Sequence, residues 1–280
     1  MAPLVSIIIP TYNRAKYIDK TLQSIARQTY TRYEIIIVDD ESDDETEQVV
    51  SRVNIPHIYR RIPHSGSSKA RNVGIALGSG DFIAFLDSDD WWHPEFLQYA
   101  VAMLEQNPNS GFSYCDYSQW NEHSLIKSAS LQSHEKISGD IFFRVLEGMY
   151  IHMSSLVVRQ IACKKIGGFD PAITYVDDWD FMLRLSQIYP GIYCDQVLLN
   201  ILIHTGGISR NTMGVCLYNL RVLKKLKAQS FEKWRAYRST LQKVISYNHR
   251  KLISHYRRQG EFLQMGKHGV AYILASLGWV

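Results

Sequence analysis

Phe82-Ile83-Ala84-Phe85-Leu86-Asp87-Ser88-Asp89-Asp90 decides the fold: five apolar residues in a row, stopped by three carboxylates and a serine. An apolar run this short, bounded by turn-forming residues, predicts a strand buried on both faces, as in a parallel sheet. Two more runs lie upstream. Val5-Ser6-Ile7-Ile8-Ile9 is bounded by Pro10, and Glu34-Ile35-Ile36-Ile37-Val38 is bounded by Asp39-Asp40. Helical patterns separate them. Ile18, Leu22 and Ile25 recur at spacings of four and three, and Ala70, Val73, Ile75 and Leu77 follow a serine pair, Ser67-Ser68, that predicts a helix cap. Gly78 and Gly80 then stop that helix. Strand–helix–strand alternation implies right-handed crossovers, hence an α/β fold with a doubly wound, mostly parallel sheet and flanking helices.

Downstream the pattern is less regular. Residues 94–105 read as a helix, 119–139 as loop, 155–158 as a strand, 177–188 as a helix with Phe181, Leu185 and Ile188 on one face, and 192–194 and 198–203 as strands; from 214 the pattern is helical. The 280 residues, 46% hydrophobic and 21% charged, can bury a core, which excludes a disordered chain. No apolar run reaches the ~18–20 residues of a membrane span. Met1 to Ser6 lacks a basic start and a cleavage pattern, so no secretory signal is expected. Cys115, Cys163, Cys194 and Cys216 are scattered, which fits a reducing cytoplasm rather than a disulfide framework or structural zinc. Residues 211–280 hold 13 basic and 2 acidic side chains (+11), and residues 1–210 hold 18 and 25 (−7). That asymmetry predicts a main domain over 1–210 and a basic helical extension over 211–280.

In open α/β sheets, ligands bind beyond the carboxyl ends of the strands. Three strands here end in polar clusters: Pro10-Thr11-Tyr12-Asn13, Asp39-Asp40 and Asp87-Ser88-Asp89-Asp90. The first has no glycine where a dinucleotide's pyrophosphate would approach the backbone, and no phosphate loop of the G-x-x-x-x-G-K-[ST] type occurs, so dinucleotide and P-loop chemistry are disfavoured. Asp87-x-Asp89 offers hard oxygens suited to Mg²⁺ or Mn²⁺ held together with substrate phosphates. The same acids also read as a turn and helix cap before Trp91-Trp92-His93-Pro94.

Six segments, in this order, resemble family-two glycosyltransferases of the GT-A fold: VSIIIPTYNR (5–14), YEIIIVDDESDDET (33–46), SSKARNVGIALGSGDFIAFLDSDDWWHPEFL (67–97), GGFDP (167–171), YVDDWDFMLRL (175–185) and IHTGGISR (203–210). The resemblance covers residues 4–210 and implies an inverting transfer from a nucleotide-sugar, most often a UDP-sugar, to a hydroxyl acceptor in polysaccharide or other glycoconjugate synthesis. It implies that Pro10, Thr11 and Tyr12 hold the base, and that Asp39 accepts from the uracil imide. Arg71 would serve the nucleotide, with Gly66 allowing close backbone approach. Asp87 would lie near the ribose and the metal shell, Ser88 would contact the nucleotide-sugar, and Asp89 would bind Mn²⁺ or Mg²⁺, with His204 completing the metal or diphosphate shell. Gly206, Gly207 and Ser209 would form a loop over the diphosphate. Asp178 would be the general base and Asp177 its neighbour; the family usually has Glu at the latter position. Clustered like charges raise the pKa of at least one member, which suits a base.

Two rivals follow from the fold class. A sugar nucleotidyltransferase would need a glycine-rich triphosphate loop early in the chain, absent after Ile9, and a binding module without activity would not need both Asp89 and Asp178. The acceptor, carbohydrate or lipid-linked, is not encoded in these motifs. In the extension, Phe231, Trp234, Tyr237, Leu241 and Val244 form one helical stripe flanked by Lys233, Arg235, Arg238 and Lys243. A stripe of this kind, within a tail spanning 214–260, can make a peripheral contact at the inner face of the membrane, dimerise the chain, or pack on the acidic main domain. No aromatic-interleaved recognition motif accompanies the basic residues, so nucleic acid is not an expected partner.

Overall fold

Ile7, Ile8 and Ile9 are all fully buried because their strand runs through a sheet covered on both faces. The computed structural model describes residues 2–204, 212–229 and 236–276. In chain order the first half comprises β1 (Val5–Thr11), α1 (Ile18–Ala26), β2 (Tyr33–Asp39), α2 (Thr46–Ser51), β3 (Ile58–Arg61), α3 (Ser67–Leu77), β4 (Phe82–Phe85), β5 (Trp91–Trp92), α4 (Phe96–Gln106), β6 (Phe112–Trp120) and β7 (Leu125–Lys127). The second half comprises α5 (Phe142–Glu147), β8 (Val157–Arg159), α6 (Gln160–Lys165), α7 (Asp177–Ser186), β9 (Gly191–Leu202), α8 (Thr212–Gln229), α9 (Arg238–Gln259) and α10 (Phe262–Ser276).

The strands form one sheet in the order β3-β2-β1-β4-β8-β6-β9-β5, with β7 paired to β6. The β3-β2-β1-β4 half is wholly parallel, as expected of the continuous apolar runs. The other half is mixed: β8 is antiparallel to both β4 and β6, β6 is parallel to β9, and β5 is antiparallel to β9. Side chains alternate across the sheet. Ile7 and Ile9 face Leu22 and Ile25 of α1 and the cluster that includes Phe96 and Leu104 of α4. Ile8, Ile83 and Phe85 face the opposite cluster, with Val145 of α5 and Phe181 and Leu185 of α7. Each such fully buried aliphatic side chain contributes ~1.5–3 kcal/mol relative to exposure. Helix α3 packs closely against β1: a Cβ on Gly74 would come within 2.4 Å of Ile8 Cγ2.

Three expectations change. The segment read as loop over 119–139 begins with the end of β6 and includes the β6–β7 hairpin. The two strands expected near residues 192–203 are one strand, β9, whose register against β6 shifts around Asp116. The serines expected to cap α3 do not: Gly66 holds the cap position at φ 88°, and the hydroxyls of Ser67 and Ser68 reach across to Asp177.

The C-terminal helices share the core of the main body. Val222, Leu223 and Leu226 of α8, Leu241 and Ile245 of α9, and Ala275 of α10 join the same apolar cluster as Phe85 and Phe181, and Tyr237 and Val244 pack against it. The stripe considered for a membrane surface is therefore turned inward at Tyr237, Leu241 and Val244, where packing against α5 and α8 removes more apolar surface from water than an exposed helix could. Phe231 and Trp234, like Gly206, Gly207 and Ser209, lie outside the described residues.

Candidate active site

The carboxyl ends of β1, β2 and β4 deliver three polar clusters to one edge of the sheet, and the start of α7 brings a fourth. At the first, Tyr12 is exposed and its ring lies 4.5 Å from that of His64, centroid to centroid. The loop carrying His64 is held by Asp40: its carboxylate accepts from the backbone N–H groups of Ser65 at 2.7 Å and Gly66 at 2.8 Å, and His64 Nδ1 lies 3.0 Å from it. Tyr12 and His64 thus make an aromatic wall above β1 and β2. Pro10 and Thr11 are buried behind it, and Thr11 Oγ1 has no hydrogen-bond partner among the described residues. Asp39 has no exposed surface. It accepts from the Ser42 N–H at 2.7 Å and from the Tyr59 hydroxyl, so its carboxylate is held within the protein rather than displayed to a ligand.

At the end of β4 the acids divide by partner. Asp87 accepts from Arg71 Nη2 at 2.8 Å. Burial works against its charge, but the Arg71 guanidinium keeps its pKa below the usual carboxylate value. Ser88 is buried. Asp89 keeps 19% of its side chain exposed; its Oδ2 lies 3.0 Å from His204 Nε2 and 3.3 Å from Arg14 Nε. The two residues expected to share a metal are therefore neighbours, although far apart in the chain. The His204 ring also packs against Tyr17 at 5.0 Å. Asp90 is buried, accepting from Ser154 Oγ at 2.6 Å and from the Leu202 N–H at 3.3 Å. Burial, followed by the charges of Asp89 and Asp87, pushes its pKa well up.

Donor atoms of Asp87, Asp90 and His152 lie within 4.8 Å of one another. Asp90 is buried and Asp87 is committed to Arg71, so the partly open Asp89–His204 pair is the better seat for a divalent ion. One carboxylate and one imidazole leave room for diphosphate oxygens and water, and the imidazole favours Mn²⁺ over Mg²⁺.

Arg71 does not display its guanidinium to a nucleotide. It is buried, with Nη2 on Asp87 and Nη1 on Asp177 at 2.8 Å. The reason is local. The side chain lies between buried Asp177 and half-buried Asp87, which would otherwise be uncompensated, and a planar guanidinium can donate to both at once. Asp177 Oδ2 accepts further from Ser68 Oγ at 3.0 Å and Ser67 Oγ at 3.2 Å. Asp178, next in sequence, has no such partners. Its one hydrogen bond among the described residues is from the Trp179 N–H at 2.7 Å, it keeps part of its surface open, and loss of hydration followed by the charge of Asp177 pushes its pKa up to about 7. Asp180 faces away, held by Arg184 and Lys225.

The sequence motifs thus locate Asp89, His204, Asp177 and Asp178 at one site. The contributions of His64 and Arg14, and the role of Asp40 in holding the His64 loop, are not legible in the motifs. An Asp-Asp pair does not reveal which member is buried, and lone histidines and arginines carry no spacing signal.

The profile of "Glycosyl transferase family 2" matches residues 6–153. An uncharacterized glycosyltransferase of Rickettsia typhi is 33% identical over 209 residues, which is 72% of this chain and 65% of that protein, so the chain spans just under two thirds of that relative's length. The UDP-Glc:alpha-D-GlcNAc-diphosphoundecaprenol beta-1,3-glucosyltransferase WfaP of Escherichia coli is 29% identical over 228 residues, 80% of this chain and 86% of that one. Among solved structures, the mannosyltransferase PcManGT of Pyrobaculum calidifontis, in complex with GDP-Man and Mn²⁺, superposes with a TM-score of 0.67 at 17% identity, covering 99% of this chain and 76% of that one. At that identity the likeness concerns the fold, and the fold is GT-A.

Proposed function

The chain belongs to glycosyl transferase family 2, and from that premise we propose that it is an inverting glycosyltransferase moving a sugar from a nucleotide-sugar, UDP-linked, to the hydroxyl of a carbohydrate or lipid-linked acceptor. The observation that carries this reading is the division of labour at the start of α7. Arg71 and two serines immobilise Asp177, while Asp178 is left with a pKa of about 7, poised to take a proton near neutrality. The acceptor O–H gives its proton to Asp178 as its oxygen bonds to the anomeric carbon. The anomeric C–O bond breaks on the opposite face, and its electron pair leaves with the nucleoside diphosphate. The transition state has oxocarbenium character, as in glycoside hydrolysis. Asp89 and His204 would hold the divalent ion, which when bound neutralises charge on the departing diphosphate.

Tyr12 and His64 provide ring faces for the base. Because Asp39 is closed off, backbone groups of the loop held by Asp40 are better placed than Asp39 to read the base edge. The UDP-glucose donor and diphosphoundecaprenol-linked acceptor in the name of WfaP support a UDP-sugar and a lipid-linked acceptor here, with the extension beyond residue 210 completing the acceptor side. A lipid-linked acceptor would put the enzyme at the inner face of the membrane. The test is Mn²⁺-dependent UDP release from a panel of UDP-sugars with undecaprenyl-diphosphate-linked sugar acceptors. Release with no UDP-sugar, with or without metal, would refute the reading.

A further inference from the structure

Helix α10 has two apolar sides, and among the described residues only one is covered. Its inner side packs on the preceding helices: Met265 joins Cys216, Leu252 and Tyr256, Ala275 enters the main core, and the His268 ring stacks on Tyr256 with centroids 5.5 Å apart. Its outer side carries Phe262 (70% exposed), Leu263 (88%), Val270 (61%), Ile273 (56%) and Leu274 (41%). Together with Gly266 these positions recur at helical spacing and form one stripe along the helix. The only ionised side chain on α10 is Lys267, one helical turn from both Leu263 and Val270, so it borders the stripe.

A monomer in water rarely leaves such a contiguous apolar stripe open. Its surroundings indicate what covers it. Residues 236–276 carry seven basic side chains and one acidic one, Glu261, and all seven basic residues are exposed. Arg257 and Arg258 stand in the last turn of α9, just before the left-handed Gly260 turn that leads into Phe262. An apolar band with cationic groups at its edge and end matches the boundary between acyl chains and anionic headgroups. It does not match a second copy, because a two-fold contact would press two such hairpins of like charge together. No helix among the described residues is long and apolar enough to cross a membrane, so the fit is to a helix lying in the surface.

We propose that α10 is a membrane-surface anchor, laying Phe262, Leu263, Val270 and Ile273 into an anionic bilayer while Arg257, Arg258 and Lys267 meet its headgroups. The chain is thereby held at a lipid surface, a property separate from transfer itself.

Flotation of the full 280-residue chain with phosphatidylglycerol–phosphatidylcholine vesicles, without donor or acceptor, tests this independently of the transfer reading. The chain is expected to float with the anionic vesicles at low salt and to bind phosphatidylcholine alone much more weakly. Arg257→Gln, Arg258→Gln and Lys267→Gln should each weaken anionic binding by about fivefold. The triple variant Leu263→Gln, Val270→Gln, Ile273→Gln should weaken it by roughly a hundredfold or more, with an unchanged thermal melt because these side chains are already exposed. Three outcomes overturn the proposal: a wild-type chain that stays in the soluble fraction, a triple variant that floats as well as wild type, or a dimer in light scattering that the triple variant makes monomeric in a chain that does not float.

Discussion

Asp178 offers the sharpest quantitative test, because its environment sets a pH dependence that an ordinary aspartate would not show. With a pKa of about 7, roughly a tenth of Asp178 is ionised at pH 6 and about nine tenths at pH 8, so kcat should rise about tenfold over that interval. At the ordinary value of 3.8 the rate would be flat over the same range. The assay is UDP release at saturating donor, acceptor and Mn²⁺. Asp178→Asn should lower kcat by ~10²–10⁴-fold and leave UDP binding unchanged. Asp177→Asn removes the neighbouring charge, the second cause of the shift, and should move the acidic limb to lower pH. The same group predicts a stability signature. A carboxyl whose pKa is higher folded than unfolded binds protons preferentially in the folded state between 3.8 and about 7. Its contribution is most favourable below 3.8 and is lost as pH rises through about 7. Asp178→Asn should therefore melt above wild type at pH 8 and gain nothing at pH 3. A flat wild-type kcat between pH 6 and 8, or an asparagine variant within a few-fold of wild type, would refute the assignment.

Asp89→Ala should abolish the tightening of UDP binding by Mn²⁺, read by calorimetry with and without metal; equal tightening in the variant would place the ion elsewhere. Arg71→Ala leaves buried Asp177 and half-buried Asp87 without a counter-charge and should cost about 3–5 kcal/mol in urea unfolding. Arg71→Lys should recover only part of that, since one ammonium cannot serve both acids in the same geometry. Leu241→Ala removes a 2%-exposed side chain that joins α9 to the main core and should cost about 2–5 kcal/mol. A separate low-stability transition confined to the C-terminal helices, with the main unfolding unchanged, would contradict a shared core.

The half of the sheet that was legible in the sequence is the half whose strands are apolar on both faces. β1, β2 and β4 are short, nearly continuous apolar runs bounded by turn-forming residues, because both sides of this half of the sheet are covered. β6 was illegible for the opposite reason. It reads Phe-Ser-Tyr-Cys-Asp-Tyr-Ser-Gln-Trp, and its buried Asp116 is tolerated because the Ser130 and Leu131 N–H groups donate to it at 2.8 and 2.9 Å and Lys136 pairs with it at 3.0 Å. Those partners lie in the stretch that reads as loop, so the strand cannot be recognised before the loop that satisfies it is placed. β9 read as two strands because Asp195, Gln196 and Val197 are exposed where the register shifts.

The site repeats this pattern at the scale of single side chains. Order and spacing located the acids, but each acid's role depends on its partners. Asp39 and Asp40 are adjacent, yet one is sealed by Tyr59 and Ser42 and the other holds the His64 loop. Asp177 and Asp178 are likewise adjacent, yet one is fixed by Arg71 and the other retains an elevated pKa. In both pairs a cluster of like charges is resolved by giving one member a full set of donors, which fixes the backbone. In the second pair the remaining member has one backbone donor among the described residues and bears the electrostatic strain. Arg71 joins that pair to Asp87, two residues from Asp89, so the proposed base and the acid proposed to seat the ion are positioned through one guanidinium. A change at Arg71 should therefore disturb Mn²⁺-dependent UDP binding and the pH profile of transfer together, whereas Asp89→Ala should alter only the former.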